Sequence, residues 1–169
     1  YPEDIGHLLW SAAMLHDVGM FIGRNGHHKH SYYLIKNAGL LGHSEEEVAL
    51  IASIARYHRG SEPKVTHEAW YSHDLEGRKI VYDLASFLRI AEALDRSHKQ
   101  VVKDLRVIVS ASSKEGQSGS LSLFLNLHEN SHCQSEIWAL NEKRSFFENH
   151  FQTKLEVLVD AGVALAQAD

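Results

Sequence analysis

The chain has 169 residues, 44% apolar and 23% charged, with a formal net charge of −5 at pH 7, the profile of a soluble globular protein of one ordinary domain or two small ones. The acidic balance argues against a general nucleic-acid binder, because counterion release needs a basic surface; no apolar run reaches the length of a membrane span, and no charged leader with an apolar core opens the sequence. The single cysteine, Cys133, can form no internal disulfide, and a reducing, cytoplasmic setting is expected.

Two halves differ in hydrophobic period. Residues 3–98 read as helices and residues 103–160 as strands around one helix, with no internal repeat. A first helix is expected over about residues 4–18, with Ile5, Leu8, Leu9, Ala12 and Leu15 on one buried face and Gly19 as its stop. The polar run 23–30 reads as a loop leading into a second helix over about 30–37, ended by Gly39. Ser44 and Glu47 form a capping box for a third helix that carries Val48, Ile51, Ala52 and Ala55 inward as far as His58. Residues 60–75 read as a connecting loop, and a long helix is expected over about 78–98 with Ile80, Leu84, Phe87, Leu88 and Ala91 inward.

After Lys103 the period becomes two. Leu105, Val107 and Val109 alternate with their neighbours, as do Leu121, Leu123, Leu125 and Leu127, which predicts two half-buried strands joined by a hairpin turn at 116–119. Residues 133–140 fit either a strand or a helix start. Asn141 reads as the N-cap of a helix holding Phe147 and Phe151, and Leu155, Val157 and Val159 as a last strand. The fold expected is a mainly α bundle over residues 1–100 followed by a small α+β domain over 101–169.

The unusual count is thirteen histidines. His16 continues the buried stripe of the first helix and Asp17 follows it, so one turn offers a metal an imidazole nitrogen and a carboxylate oxygen. His27, His28 and His30 stand with Arg24 and Lys29 at the mouth of the second helix, where anions are favoured; the plainer reading is a solvated loop. His58 lies inward on the third helix beside Arg56 and Arg59, where a lone histidine is more often a satisfied core residue. Glu92 and Asp95 extend inward lines of the long helix, although Glu92 also sits four residues before Arg96 as a surface pair would. Burying several ionisable groups is costly unless they pair with one another or with a metal.

These segments carry a family resemblance. The succession of His16-Asp17, later histidines and a terminal acid on successive helices resembles the HD superfamily of metal-dependent phosphohydrolases. The stretches Ala12-Ala13-Met14-Leu15-His16-Asp17-Val18-Gly19, His27-His28-Lys29-His30-Ser31-Tyr32-Tyr33-Leu34-Ile35, Arg56-Tyr57-His58-Arg59 and Leu88-Arg89-Ile90-Ala91-Glu92-Ala93-Leu94-Asp95-Arg96-Ser97 resemble the C-terminal region of the exopolyphosphatase/guanosine pentaphosphatase family. The resemblance implies an HD-like domain plus an α+β tail. It implies hydrolysis of phosphoanhydrides, polyphosphate or pppGpp, with the family's main active site in two actin-like domains that have no match in this chain. By position it implies metal ligands His16, Asp17, His30, His58 and Glu92, with Asp95 as substitute, for a divalent ion such as Mg or Mn. The sequence departs from the full HD pattern where no histidine stands on an earlier helix and where Glu92 replaces the usual Asp.

The expected function is therefore that of the C-terminal part of an exopolyphosphatase/pppGpp phosphohydrolase. It would bind polyphosphate or a guanosine polyphosphate through Arg24, His27, His28, Lys29, Arg56, Arg59 and Arg96, as a homodimer. The alternatives are a stand-alone HD-type metal-dependent phosphohydrolase and a non-catalytic dimerisation module.

Overall fold

The structure is a computed structural model that describes residues 5–110 and 119–159. Its contacts divide the chain into two compact units, Tyr1–Arg89 and Ile90–Asp169. The division falls inside the long helix, ahead of the 100/101 boundary suggested by the switch in hydrophobic period.

The first unit is helical. Helix α1 spans Gly6–Leu15, a 3₁₀ turn Val18–Phe21, α2 His27–Asn37, α3 Glu45–Arg56 and α4 Glu68–Tyr71; α5, Leu75–Leu94, begins in this unit. Helix α3 is its spine. The expected capping box is formed: Ser44 Oγ accepts from the Glu47 amide at 3.2 Å, and Glu47 Oε2 accepts from the Ser44 amide at 2.7 Å. From Leu50 to Arg56 every residue of α3 is buried, so the helix presents apolar surface all round, and α1, α2 and α4 all pack against it.

Helix α1 ends at Leu15 rather than about 18, with Gly19 inside the 3₁₀ turn instead of stopping the helix, and α5 ends at Leu94 rather than about 98; three other differences have identifiable reasons. Helix α2 starts at His27 rather than His30, launched from Gly26 at a φ of 71°. The connecting loop contains α4, whose Ala69 is buried. Helix α5 starts at Leu75 rather than 78 because Asp74 Oδ1 accepts from the Gly77 amide at 2.8 Å, a cap outside the apolar pattern. On α5, Phe87 and Ala91 are exposed rather than inward. Residue 4 of the expected first helix lies outside the described residues.

The second unit holds the end of α5 and a three-stranded sheet in the order β1-β2-β3, made of Val102–Ser110, Gly119–Leu127 and Thr153–Val159. Strands β1 and β2 are antiparallel, and β2 and β3 run parallel, joined through α6, Gln134–Phe151. Residues 116–118 of the expected hairpin turn lie outside the described residues, and Gly119 opens β2. Strand β1 is exposed from Lys103 to Ser110, not half-buried. The central strand β2 instead supplies Leu123 and Leu125 to a core with Ile90, Ala93, Ala139, Leu140, Phe147 and Leu155. Asn141 is not an N-cap: α6 starts seven residues earlier, at Gln134, where the buried Glu136 carboxylate accepts from the Ser97 amide at 2.9 Å. That long-range bond fixes a start which local sequence left open. Among the described residues no helix is long and apolar enough to cross a membrane.

Gly19 sets how closely the turn after α1 approaches α2. A Cβ there would stand 2.2 Å from the His27 carbonyl oxygen, 2.4 Å from the Ser31 amide and 2.8 Å from His30 Cβ. Only a residue without a side chain lets the turn close. Gly19→Ala is expected to cost about 3 kcal/mol, the upper end for overpacking, because two of the three obstructing atoms are backbone; urea unfolding measures it, and an unchanged midpoint would contradict the close approach.

Candidate functional site

Three histidines from three helix ends meet around one carboxylate in the helical unit. His16 follows α1, His27 opens α2 and His58 lies just past α3. Each ring is held the same way, with Nδ1 donating to the carbonyl three residues back: Ala13 at 2.6 Å, Arg24 at 3.0 Å and Ala55 at 2.6 Å. A carbonyl only accepts, so Nδ1 carries a proton in all three rings and each ring presents its Nε2 to the site. Those Nε2 atoms converge on Asp17. Its Oδ1 lies 3.0 Å from His27 Nε2 and 3.7 Å from His58 Nε2, and its Oδ2 lies 3.6 Å from His16 Nε2. His27 Nε2 and His58 Nε2 are 3.2 Å apart.

His58, kept neutral by burial, turns an Nε2 lone pair toward Asp17, and a cation among these groups would satisfy it together with the carboxylate. Metal–ligand bonds of about 2.0–2.2 Å put neighbouring ligand atoms roughly 3.0–3.5 Å apart, close to the spacing seen here. The Nδ1–carbonyl bonds are the outer contacts that orient histidine ligands. His16, Asp17 and His58, each with one ligand atom within 4.8 Å of the others, therefore fit a divalent ion. Ser31 locks the turn that carries Asp17, receiving the Gly19 amide at 2.9 Å and donating to the His16 carbonyl at 2.5 Å. Arg89 fixes the turn that carries His58, donating to the carbonyls of Tyr57 at 2.6 Å and Gly60 at 3.0 Å.

A cationic wall adjoins these rings. His28 sits edge-on to both His27 and His58, and its pKa is pushed down to about 4, first by burial and then by the charges of Arg56, His27, Arg59 and Lys29. Arg56 is only 8% exposed, and its Nη1 has no hydrogen-bond partner. Burial lowers its pKa as well, with only the Tyr57 and Tyr32 hydroxyls opposing. Among the described residues no ion pair includes Arg56. A buried guanidinium without a counter-charge is costly, and an anion reaching it would remove that cost.

Compared with known proteins, residues 2–154 match the model of the family described as Ppx/GppA phosphatase, domain III. The chain belongs to that family. A relative, the guanosine-5'-triphosphate,3'-diphosphate pyrophosphatase of Pseudoalteromonas translucida (strain TAC 125), is 40% identical over 52 residues, which is 31% of this chain and 10% of the relative. The matched stretch is thus a small part of that protein's length.

Within this domain III, the sequence-derived residues separate into groups. His16, Asp17 and His58 come together as a metal-competent group, and His27, assigned from sequence to phosphate, stands outside that group but has its Nε2 3.0 Å from Asp17 Oδ1 and 3.2 Å from His58 Nε2. Its signal was present in the sequence: His27, Ser31 and Ile35 recur every four residues and are the buried positions of α2. His30 joins no metal-competent cluster among the described residues; its Cβ faces Gly19. Arg24 is exposed and enters the site through its carbonyl. Glu92, Asp95 and Arg96 belong to the second unit. There Glu92 pairs with Lys143, Asp95 Oδ1 accepts from the Gln100 amide at 2.9 Å, and Arg96 is exposed. Arg89, given no role from sequence, was legible as a lone cation between Leu88 and Ile90.

The buried rings make stability depend on pH. Burial, aided by the charges of His16, His27 and Arg59 against the Ala55 hydrogen bond, pushes His58 down to about 2 from 6.5. The native state refuses a proton that the unfolded chain takes below about pH 6.5. Stability is therefore complete above that value and falls as pH drops toward the folded-state pKa, by up to about 1.4 kcal/mol per pH unit for this ring. Urea midpoints with chelator present should decline between pH 6.5 and 4.5, and less steeply in His58→Gln; identical slopes in the two proteins would contradict the assignment.

Proposed function

We propose that this chain is the domain III of a phosphohydrolase acting on phosphoanhydride chains, inorganic polyphosphate or a guanosine polyphosphate. In this reading its helical unit is an HD-like phosphate-binding site built on a divalent metal. The observation that carries the reading is the convergence of three histidine Nε2 atoms on Asp17, beside a buried Arg56 with an unpartnered Nη1.

His16, Asp17, His27 and His58 would hold the ion. Three imidazoles and one carboxylate suit Mn, Fe, Zn or Ni better than Mg, which prefers oxygen ligands and retains its waters. Such an ion supplies Lewis-acid polarisation of a phosphoryl oxygen and lowers the pKa of water. The chain's own residues do the remainder. Arg56 offers a planar donor set in a low-dielectric setting, the geometry that favours bidentate contact with phosphate oxygens. Lys29 and Arg59 extend positive charge beyond it, in an otherwise acidic chain. Neutral His28, beside them, can donate a hydrogen bond without adding repulsion between cations.

A second reading, hydrolysis by this unit alone, draws on the same donor set, which is that of a metal site rather than of a passive surface. The two are separated by one pair of measurements with Mn2+ present, polyphosphate binding and phosphate release. Arg56→Ala should weaken binding about ten- to a hundredfold, the range for one charge-assisted contact, and His58→Ala should remove the Mn2+-dependent part. Release of phosphate that disappears in His58→Ala favours the second reading; binding unaffected by both substitutions sinks the proposal.

A further inference from the structure

The two ends of the α1–α3 pair resemble each other. At one end stand His16 and His58; at the other, roughly 14 Å away along α1 at 1.5 Å per residue, stand His7 on α1, Glu47 on α3 and His43 in the turn ahead of it. One ligand atom from each of these three lies within 4.8 Å of the others. His7 Nε2 is 2.9 Å from Glu47 Oε1, and the His7 and His43 rings are stacked with centroids 5.6 Å apart.

The carboxylate is prepared for this arrangement. Glu47 Oε2 is engaged by the Ser44 amide, which leaves Oε1 to face the histidines. His43 is oriented by the buried Ser11, whose Oγ lies 3.2 Å from His43 Nε2. A hydrogen bond between His7 and Glu47 accounts for two of the three groups by itself. It leaves unexplained the third, because His43 Nδ1 is buried with no partner at all.

We propose that His7, His43 and Glu47 form a second, separate metal site that pins the start of α1 to the start of α3. Two imidazoles and a carboxylate select a borderline divalent ion such as Zn2+, Ni2+ or Cu2+ over Ca2+ or Mg2+. The side chains of His7 and Glu47 are 40% and 33% exposed, so the ion has an entry path, and water completes its coordination. Its role is structural: α1 delivers His16 and Asp17 at its far end, and an ion at the near end fixes where that end arrives. The site is distinct from the one invoked for phosphate and stands or falls on other residues.

The test is equilibrium dialysis of the 169-residue chain against Zn2+, with bound metal counted per chain. His7→Ala and Glu47→Gln, the latter able to keep the capping bond, should each bind one equivalent fewer than the unsubstituted chain. The double variant His16→Ala/His58→Ala should keep the equivalent that those two lose. Retention of the other equivalent in His7→Ala serves as the control for folding. If His7→Ala and Glu47→Gln bind as much Zn2+ as the unsubstituted chain, the second site does not exist, whatever the His16/His58 variant does. If only the His16/His58 variant is unchanged, the phosphate-site reading fails and the second site stands.

Discussion

The structure of the helical unit turns on one repeated interaction, an imidazole Nδ1–H donated to the carbonyl three residues back. Carbonyls at helix ends lack an intrahelical donor. His16 and His58 satisfy such carbonyls at the ends of α1 and α3, and His27 satisfies the Arg24 carbonyl at the entrance to α2. The same bond that finishes the backbone fixes which ring nitrogen faces the site. Each ring is left with Nε2 turned toward Asp17, and α1 and α2 both pack on α3. Orienting contacts of this kind commonly matter to a metal site nearly as much as the ligands themselves.

The cost of this arrangement is visible nearby. His58 is fully buried and kept neutral, and Arg56, two residues earlier, is buried without a counter-charge. A folded state optimised only for stability would pair or remove such groups. Under the proposed function their proximity has a simple chemical reading: a cation would suit the neutral His58 and the Asp17 carboxylate, and an anion would suit the guanidinium. Rigid supports keep the groups from escaping the conflict. Ser31 and Gly19 hold the His16–Asp17 turn against α2, and Arg89 holds the turn after α3.

Much of this was legible in the sequence where local rules act alone. The capping box at Ser44 and Glu47, the apolar stripe of α3 and the alternation of β2 all arise from spacing. The pair His16-Asp17 stood out because it continued a buried stripe. What was not legible depended on distant partners. The start of α6 is set by Glu136 reaching the Ser97 amide, which no window around Asn141 contains. The start of α2 is set by Gly26 and a histidine bond to the Arg24 carbonyl, so an eight-residue polar run looked like loop and His27 was placed ahead of the helix it opens. Strand β1 alternates like β2, yet alternation reports only which residues share a face, not whether anything covers it. Glu92 and Asp95 extended inward lines of α5, but they belong to the second unit and find their partners there in Lys143 and the Gln100 amide.

The central requirement is a cation lying between His16, Asp17, His27 and His58. Anomalous diffraction from crystals of the protein grown with Mn2+ measures this directly. A single strong peak is predicted among His16 Nε2, His58 Nε2 and an Asp17 oxygen, with His27 Nε2 beside it. Crystals that bind Mn2+ elsewhere, with the four side chains bridged by water or turned apart, would contradict it.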